Sequence, residues 1–199
     1  VTTILKASPR KKRVIKKYKK SRDDPIAYRD RQGAMGSCVH HRILNDISIR
    51  PIDPPTIDFG DIDDDTLGDI ETAVAMWDQH ADIDPGPEPN VEVAIRNDEN
   101  EYSGRFDLMT TDGLVCDLKV SKGVYPSYKM QIAAYADAIE RNPDLPDPGG
   151  AAIVCLRPNI EDNPSLKPQV ERLTPGNLTH HFNKFLDVLD LFRGDGGKN

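Results

Sequence analysis

Residues 91–140 read VEVAIRNDENEYSGRFDLMTTDGLVCDLKVSKGVYPSYKMQIAAYADAIE. In Val91–Arg96 the apolar Val91, Val93 and Ile95 alternate with Glu92, Ala94 and Arg96, the two-residue period of a half-buried strand. Asn97–Glu101 is a polar turn, Tyr102–Met109 a second strand, Thr110–Gly113 a tight connection and Leu114–Val120 a third strand. The expected unit is a meander with one packed face and one charged face. On the third strand Leu114, Cys116, Leu118 and Val120 share one face, and Asp117 and Lys119 point to the other. Pro126 or Ser127 then opens a helix reaching Glu140, with Tyr128, Ile132, Tyr135 and Ile139 along one stripe. Gln131 and Tyr135 stand four residues apart and are therefore neighbours on that helix.

Downstream, a Pro/Gly/Asp loop at Asn142–Gly150 leads to the apolar run Ala151–Leu156, a fourth strand, and Gln169–Leu173 reads as a fifth. Thr174 caps and Pro175 begins a last helix, expected to bury Leu178, Phe182, Phe185, Leu189 and Phe192 and to stop at Gly194. Upstream, Arg31–Ile49 reads as a helix ending before Pro51, with Met35, Val39, Ile43 and Ile47 on its buried stripe. Gly36 and His40 lie one turn apart on it. Pro51–Asp65 is a linker by composition. Its acids Asp58, Asp61, Asp63, Asp64 and Asp65 lack the spacing of a calcium loop and read as a solvated acidic run. Thr66 with Asp69 resembles a capping box for a helix that buries Leu67, Ile70, Val74 and Trp77 and ends before the loop Asp84–Asn90. These elements predict an α/β (α+β) fold, with a central mixed sheet of four to five strands flanked by helices.

The whole chain has 199 residues and 37% hydrophobic content, enough for one α/β domain with a sizeable core. We expect a single domain over 31–199, preceded by a basic arm or helix over 1–30. No apolar run reaches membrane-spanning length, and the first residues hold no apolar region of secretory-signal length. Cys38, Cys116 and Cys155 are odd in number and widely spaced. They suit neither a disulfide framework nor a Cys-x-x-Cys metal site, and a reducing, cytoplasmic setting is the expectation. Charge is uneven. Residues 1–22 carry ten Lys/Arg and no acid, leaving 16 basic against 33 acidic side chains in the remainder. The basic run has two readings, a solvated tail or a phosphate-contacting arm using Lys11, Lys12, Lys16, Lys17, Lys19 and Lys20.

The central stretch allows a specific chemistry. Phosphodiester hydrolysis needs a hard divalent cation, an activated water and cover for the charge that develops on phosphate. Carboxylates suit Mg²⁺ or Mn²⁺. Asp107 and Asp117 lie on adjacent strands, so both can approach one ion, with Glu92 on the neighbouring strand as a further acid. Lys119, on the same face as Asp117, could orient the attacking water or cover the phosphate charge as a point cation. Each motif alone has a bland alternative: an exposed Asp-x-Lys is ordinarily a solvated pair, and Gln-x-x-x-Tyr is ordinarily packing.

Together, Gly104-x-x-Asp107, Asp117-x-Lys119 and Gln131-x-x-x-Tyr135 resemble the PD-(D/E)XK nuclease superfamily, in particular its RecB-like and phage-exonuclease branch. Gly36-Ser37-Cys38-Val39-His40 is similar to that family's upstream Gly-x-x-x-His helix, whose His is a metal ligand. The resemblance implies a restriction-endonuclease-like core and Asp107, Asp117 and Lys119 as catalytic residues. It further implies His40, Asp107 and Asp117 as ligands to Mg²⁺ or Mn²⁺ with Glu92 as an additional acid, and Gln131 and Tyr135 in substrate or ligand positioning. Three scattered cysteines cannot supply the four-cysteine iron–sulfur cluster found in some relatives. The implied activity is a metal-dependent DNA nuclease. An exonuclease of recombination, repair or phage DNA processing comes first, acting on DNA in the cytoplasm, a phage's host cell included, with a recombination or replication protein as a conceivable partner. An endonuclease using the same site and a catalytically inactive nucleic-acid-binding protein are the alternatives.

Overall fold

A computed structural model describes residues 25–56, 63–156 and 167–196. The lysines of the basic run, and with them the arm reading, lie outside the described residues. Nine elements follow in order: α1 (Pro25–Ile47), α2 (Asp64–His80), β1 (Asn90–Asn97), β2 (Tyr102–Met109), β3 (Leu114–Val120), α3 (Pro126–Glu140), β4 (Gly150–Leu156), β5 (Gln169–Leu173) and α4 (Pro175–Gly196). The strands form one mixed sheet in the order β1-β2-β3-β4-β5, antiparallel except for the parallel β3–β4 pair. Helix α3 makes the crossover that a parallel pair requires. This is the α+β architecture of a mixed sheet flanked by helices. No helix of the described residues is long and apolar enough to cross a membrane.

Both sheet faces are covered, which corrects the expectation of one packed and one charged face. Helices α1 and α2 pack Met35, Val39, Ile43, Leu44, Ile70, Val74 and Trp77 against Leu108, Cys116, Leu118, Val154 and Leu156. On the opposite face Ile132, Tyr135 and Ile139 of α3 and Leu178, Phe185 and Leu189 of α4 pack against Phe106, Val115, Ile153 and Cys155. The parallel strands β3 and β4 therefore lie between two helical layers. Asp117 faces the α3 layer and is only 1% exposed, rather than open to solvent.

Three smaller corrections concern helix ends and stripes. The cap of α2 is Asp63, not Thr66: its carboxylate accepts from the Thr66 backbone N–H at 2.8 Å and from the Thr66 hydroxyl at 2.5 Å. Leu67 is 49% exposed and Phe192 45%, so neither joins the buried stripe of its helix. Gly194 does not end α4, which runs to Gly196.

The sheet carries a break that decides where the functional side chains go. Val91 lies in the α1/α2 layer and Val93 packs on the other, although strict alternation would put both on one face. Phe106 and Leu108 on β2 switch in the same way. Between each pair stands an acid, Glu92 or Asp107, and Glu92 takes a left-handed backbone with φ 54°. The β2–β3 ladder is confined to Leu108↔Cys116 and Met109↔Val115. One step further in that register would set Asp107 opposite Asp117, so the two acids flank the point where the β1–β2 hairpin twists away from β3.

Candidate metal and phosphate site

Where the hairpin turns away, backbone groups and side chains of both layers meet. Asp107 accepts the Leu118 N–H on Oδ2 at 2.7 Å, a side chain replacing a strand partner in the interrupted ladder. His40 reaches the same place from α1, its Nδ1 3.7 Å from Asp107 Oδ2. It stands next to Val39, which anchors the helix in the core at 0% exposure. The left-handed turn at Glu92 brings that carboxylate in from β1. One ligand atom each from His40, Glu92 and Asp107 lie within 4.8 Å of one another.

Asp117 and Lys119 flank this group from β3. Lys119 Nζ donates to Asp117 Oδ1 at 2.7 Å. Asp117 Oδ2 is buried without a hydrogen-bond partner, an arrangement that costs free energy unless something else binds there. Asp117 is not one of the three residues whose ligand atoms converge, although the ligand set read from sequence includes it.

Crowded acids in a buried place hold their protons to a higher pH than free carboxyls do. Burial raises the Asp107 carboxyl above its ordinary value against the pull of Lys119 and the Leu118 N–H. Burial pushes Asp117 up to about 6, with Asp107 adding to the rise and Lys119 opposing it. Burial and then Asp107 raise Glu92, while Arg105, at 3.4 Å, works the other way. Burial alone would lower Lys119, but Asp117 and Asp107 outweigh it and hold the ammonium above its usual range. Burial and the Lys119 charge keep His40 below its ordinary value, so the imidazole is neutral at pH 7, the form that ligates a metal. Three acids with one imidazole nitrogen among them, answered inside the site by Lys119 and at its exposed edge by Arg105, form a donor set that a divalent cation fits.

Gln131 and Tyr135 are buried on α3. Gln131 Nε2 donates to the Tyr135 hydroxyl at 2.8 Å. A Cβ built on Gly104 would come 2.5 Å from Tyr135 Cε1. The ring is 3% exposed and cannot step aside, so Gly104 is the residue that lets β2 lie against it. Tyr135 in turn is an electrostatic neighbour of Lys119.

Two contacts went unread in the sequence. The Tyr128 ring lies under Lys119, with Nζ 5.3 Å from its centroid. Arg105 pairs with Glu92 across the hairpin. Tyr128 sits three residues before Gln131, on the stripe assigned to packing, and that spacing was the available signal.

No family model matches the chain. No curated protein matches it either. Among solved structures, that of a protein from Eubacterium rectale named as a candidate exonuclease is similar at 12% identity. The match covers 68% of this chain and 56% of that one, with a TM-score of 0.50. The chain thus spans little more than half the length of that neighbour, and the likeness is one of fold. A second solved structure, at 11% identity over 94% of this chain and 85% of its own, has a TM-score of 0.35, too low to carry a relation.

Proposed function

We propose that the protein is a metal-dependent DNA nuclease that hydrolyses phosphodiester bonds, acting first as an exonuclease. The observation that carries this reading is the convergence of His40, Glu92 and Asp107 beside the Asp117–Lys119 pair at the break in the sheet. The neighbouring fold named as a candidate exonuclease supports it. His40, Glu92 and Asp107 would hold the cation, and the oxygen-rich set favours Mg²⁺ or Mn²⁺. A bound divalent cation supplies a more acidic water and neutralises phosphate charge.

The chain's own groups do the rest. Lys119, held protonated by Asp117 and Asp107, donates hydrogen bonds to a phosphate oxygen and to the incoming water. Protonated, it is an electrostatic group and not the base. Asp117 fixes its direction through the 2.7 Å contact. Gln131 and Tyr135 position the Lys119 side of the site. In this reading residues 31–199 form the nuclease domain, and the basic arm, residues 1–30, contributes phosphate contacts.

The test uses linear and covalently closed circular DNA with Mg²⁺, with Mn²⁺ or with chelator. Degradation of the linear form alone, abolished by chelator and in Lys119→Ala, is the expected result. Cutting of the circle would convert the reading to an endonuclease. Intact DNA of both kinds with either metal would overturn it.

A further inference from the structure

We propose that Tyr125 is a stacking shelf for an unpaired nucleobase beside the scissile phosphate, so that the site takes a single strand or a frayed end. This rests on the nuclease reading and adds a substrate class to it. Tyr102 and Tyr135 bury their rings, at 5% and 3% exposure; Tyr125 is 46% exposed. It is also held. Its backbone is extended at φ −106° and ψ 153°, and Pro126 follows at the start of α3, which restricts both residues. Its ring meets the Tyr128 ring edge to face, with centroids 5.3 Å apart and planes at 76°. Tyr128 is half-buried, and its ring lies under Lys119 at 5.3 Å. Tyr125 therefore stands no further from the Lys119 ammonium than those two separations combined. That is the reach of the nucleotide flanking a phosphate bound at Lys119.

A rigid, amphipathic, exposed ring next to a phosphate-directed cation has the features of an aromatic platform for single-stranded nucleic acid. Every base presents a π-face, so the shelf is indifferent to sequence. A paired base is already stacked on its neighbours and cannot use it. Lys122, exposed in the turn just before Tyr125, supplies positive charge for the strand's backbone.

The experiment measures binding with Ca²⁺ in place of the catalytic metal, using labelled single strands of equal length, one with bases and one abasic throughout. Wild type is expected to prefer the base-bearing strand. Tyr125→Ala should lose roughly tenfold in affinity for that strand and nothing for the abasic one, with Tyr125→Trp retaining the preference. An unchanged preference in Tyr125→Ala, or equal losses on both strands, overturns the shelf. If wild type cleaves DNA in parallel assays while that preference is unchanged, the nuclease reading stands and only the shelf is lost. If wild type neither binds nor cleaves, both fall.

Discussion

Two polar clusters sit at opposite ends of the β1–β2 hairpin, and they are built on opposite principles. Near the turn, Asp137 Oδ2 accepts from Asn97 Nδ2 at 2.6 Å, from the Tyr102 hydroxyl at 2.9 Å and from Arg141 Nε at 3.1 Å. Asn97 Oδ1 in turn accepts the Asn100 N–H at 2.8 Å. One acid is surrounded by donors, and the cluster ties the hairpin to α3. At the far end three acids crowd together with Lys119 on Asp117 and the more exposed Arg105 on Glu92, a buried oxygen goes unpartnered, and the strand backbone is left-handed at Glu92. The first arrangement stabilises the fold. The second spends stability on an excess of negative charge, which is intelligible where a cation binds.

The contrast predicts a double dissociation, and its first arm is the largest effect. Asp107→Asn keeps an oxygen to accept the Leu118 N–H but removes a ligand and a charge. It should reduce DNA cleavage by about a thousandfold, ~4 kcal/mol, with no loss of stability in the metal-free protein. Asp137→Ala should do the reverse. It removes the acceptor shared by Asn97, Tyr102 and Arg141, leaving the Tyr102 hydroxyl on the Ala134 carbonyl, and should cost about 1–3 kcal/mol in denaturant unfolding while cleavage per folded molecule is kept. Lost cleavage together with intact stability in Asp137→Ala would erase the distinction.

A pH series sharpens the comparison at intermediate size. Burial lifts Asp117 from an ordinary 3.8 to about 6. Between those values the folded protein binds more protons than the unfolded chain, so this contribution to stability is full below about pH 4 and lost as the pH rises through about 6. The change is bounded by about 3 kcal/mol, from ~1.4 kcal/mol per pH unit. Urea titrations of the metal-free protein should show that fall, and Asp117→Asn should lessen it, with the raised Asp107 and Glu92 carrying the remainder. A slope undiminished by the substitution would assign the whole of it to other groups.

The smallest effect concerns packing beside the site. Gly104→Ala presses on the Tyr135 ring and should cost about 1–3 kcal/mol, whereas Gly68→Ala, on α2 with nothing within 4 Å, should stabilise by about 0.5–1 kcal/mol. Equal shifts in the unfolding midpoint would mean that Gly104 lacks its spacing role.

Much of the frame is legible in the sequence, because turn residues bound the elements closely. Tyr102–Met109, Leu114–Val120, Pro126–Glu140 and Gln169–Leu173 fall on their expected limits. What the two-residue period could not reveal is a place where it fails. The face switch at Glu92 and Asp107 is a backbone event in residues with no glycine or proline to mark it, and it brings Glu92 to His40. The burial of Asp117 was missed for a related reason. Alternation along one strand shows which residues share a face, but not whether α3 and α4 will cover the other. The cap Asp63 was hidden among neighbouring acids of equal propensity, and Tyr128 was indistinguishable from the packed stripe it belongs to.

The central claim is that the acid-rich end of the hairpin is completed by a divalent cation, and thermal unfolding tests it without reference to DNA. Adding millimolar Mg²⁺ or Mn²⁺ at pH 7.5 should raise the Tm of the wild-type protein, by the equivalent of about 2.7 kcal/mol when the ion reaches a hundredfold its Kd. The same addition should leave Asp107→Asn unmoved. An unchanged wild-type Tm, or an equal rise in the variant, would contradict the account.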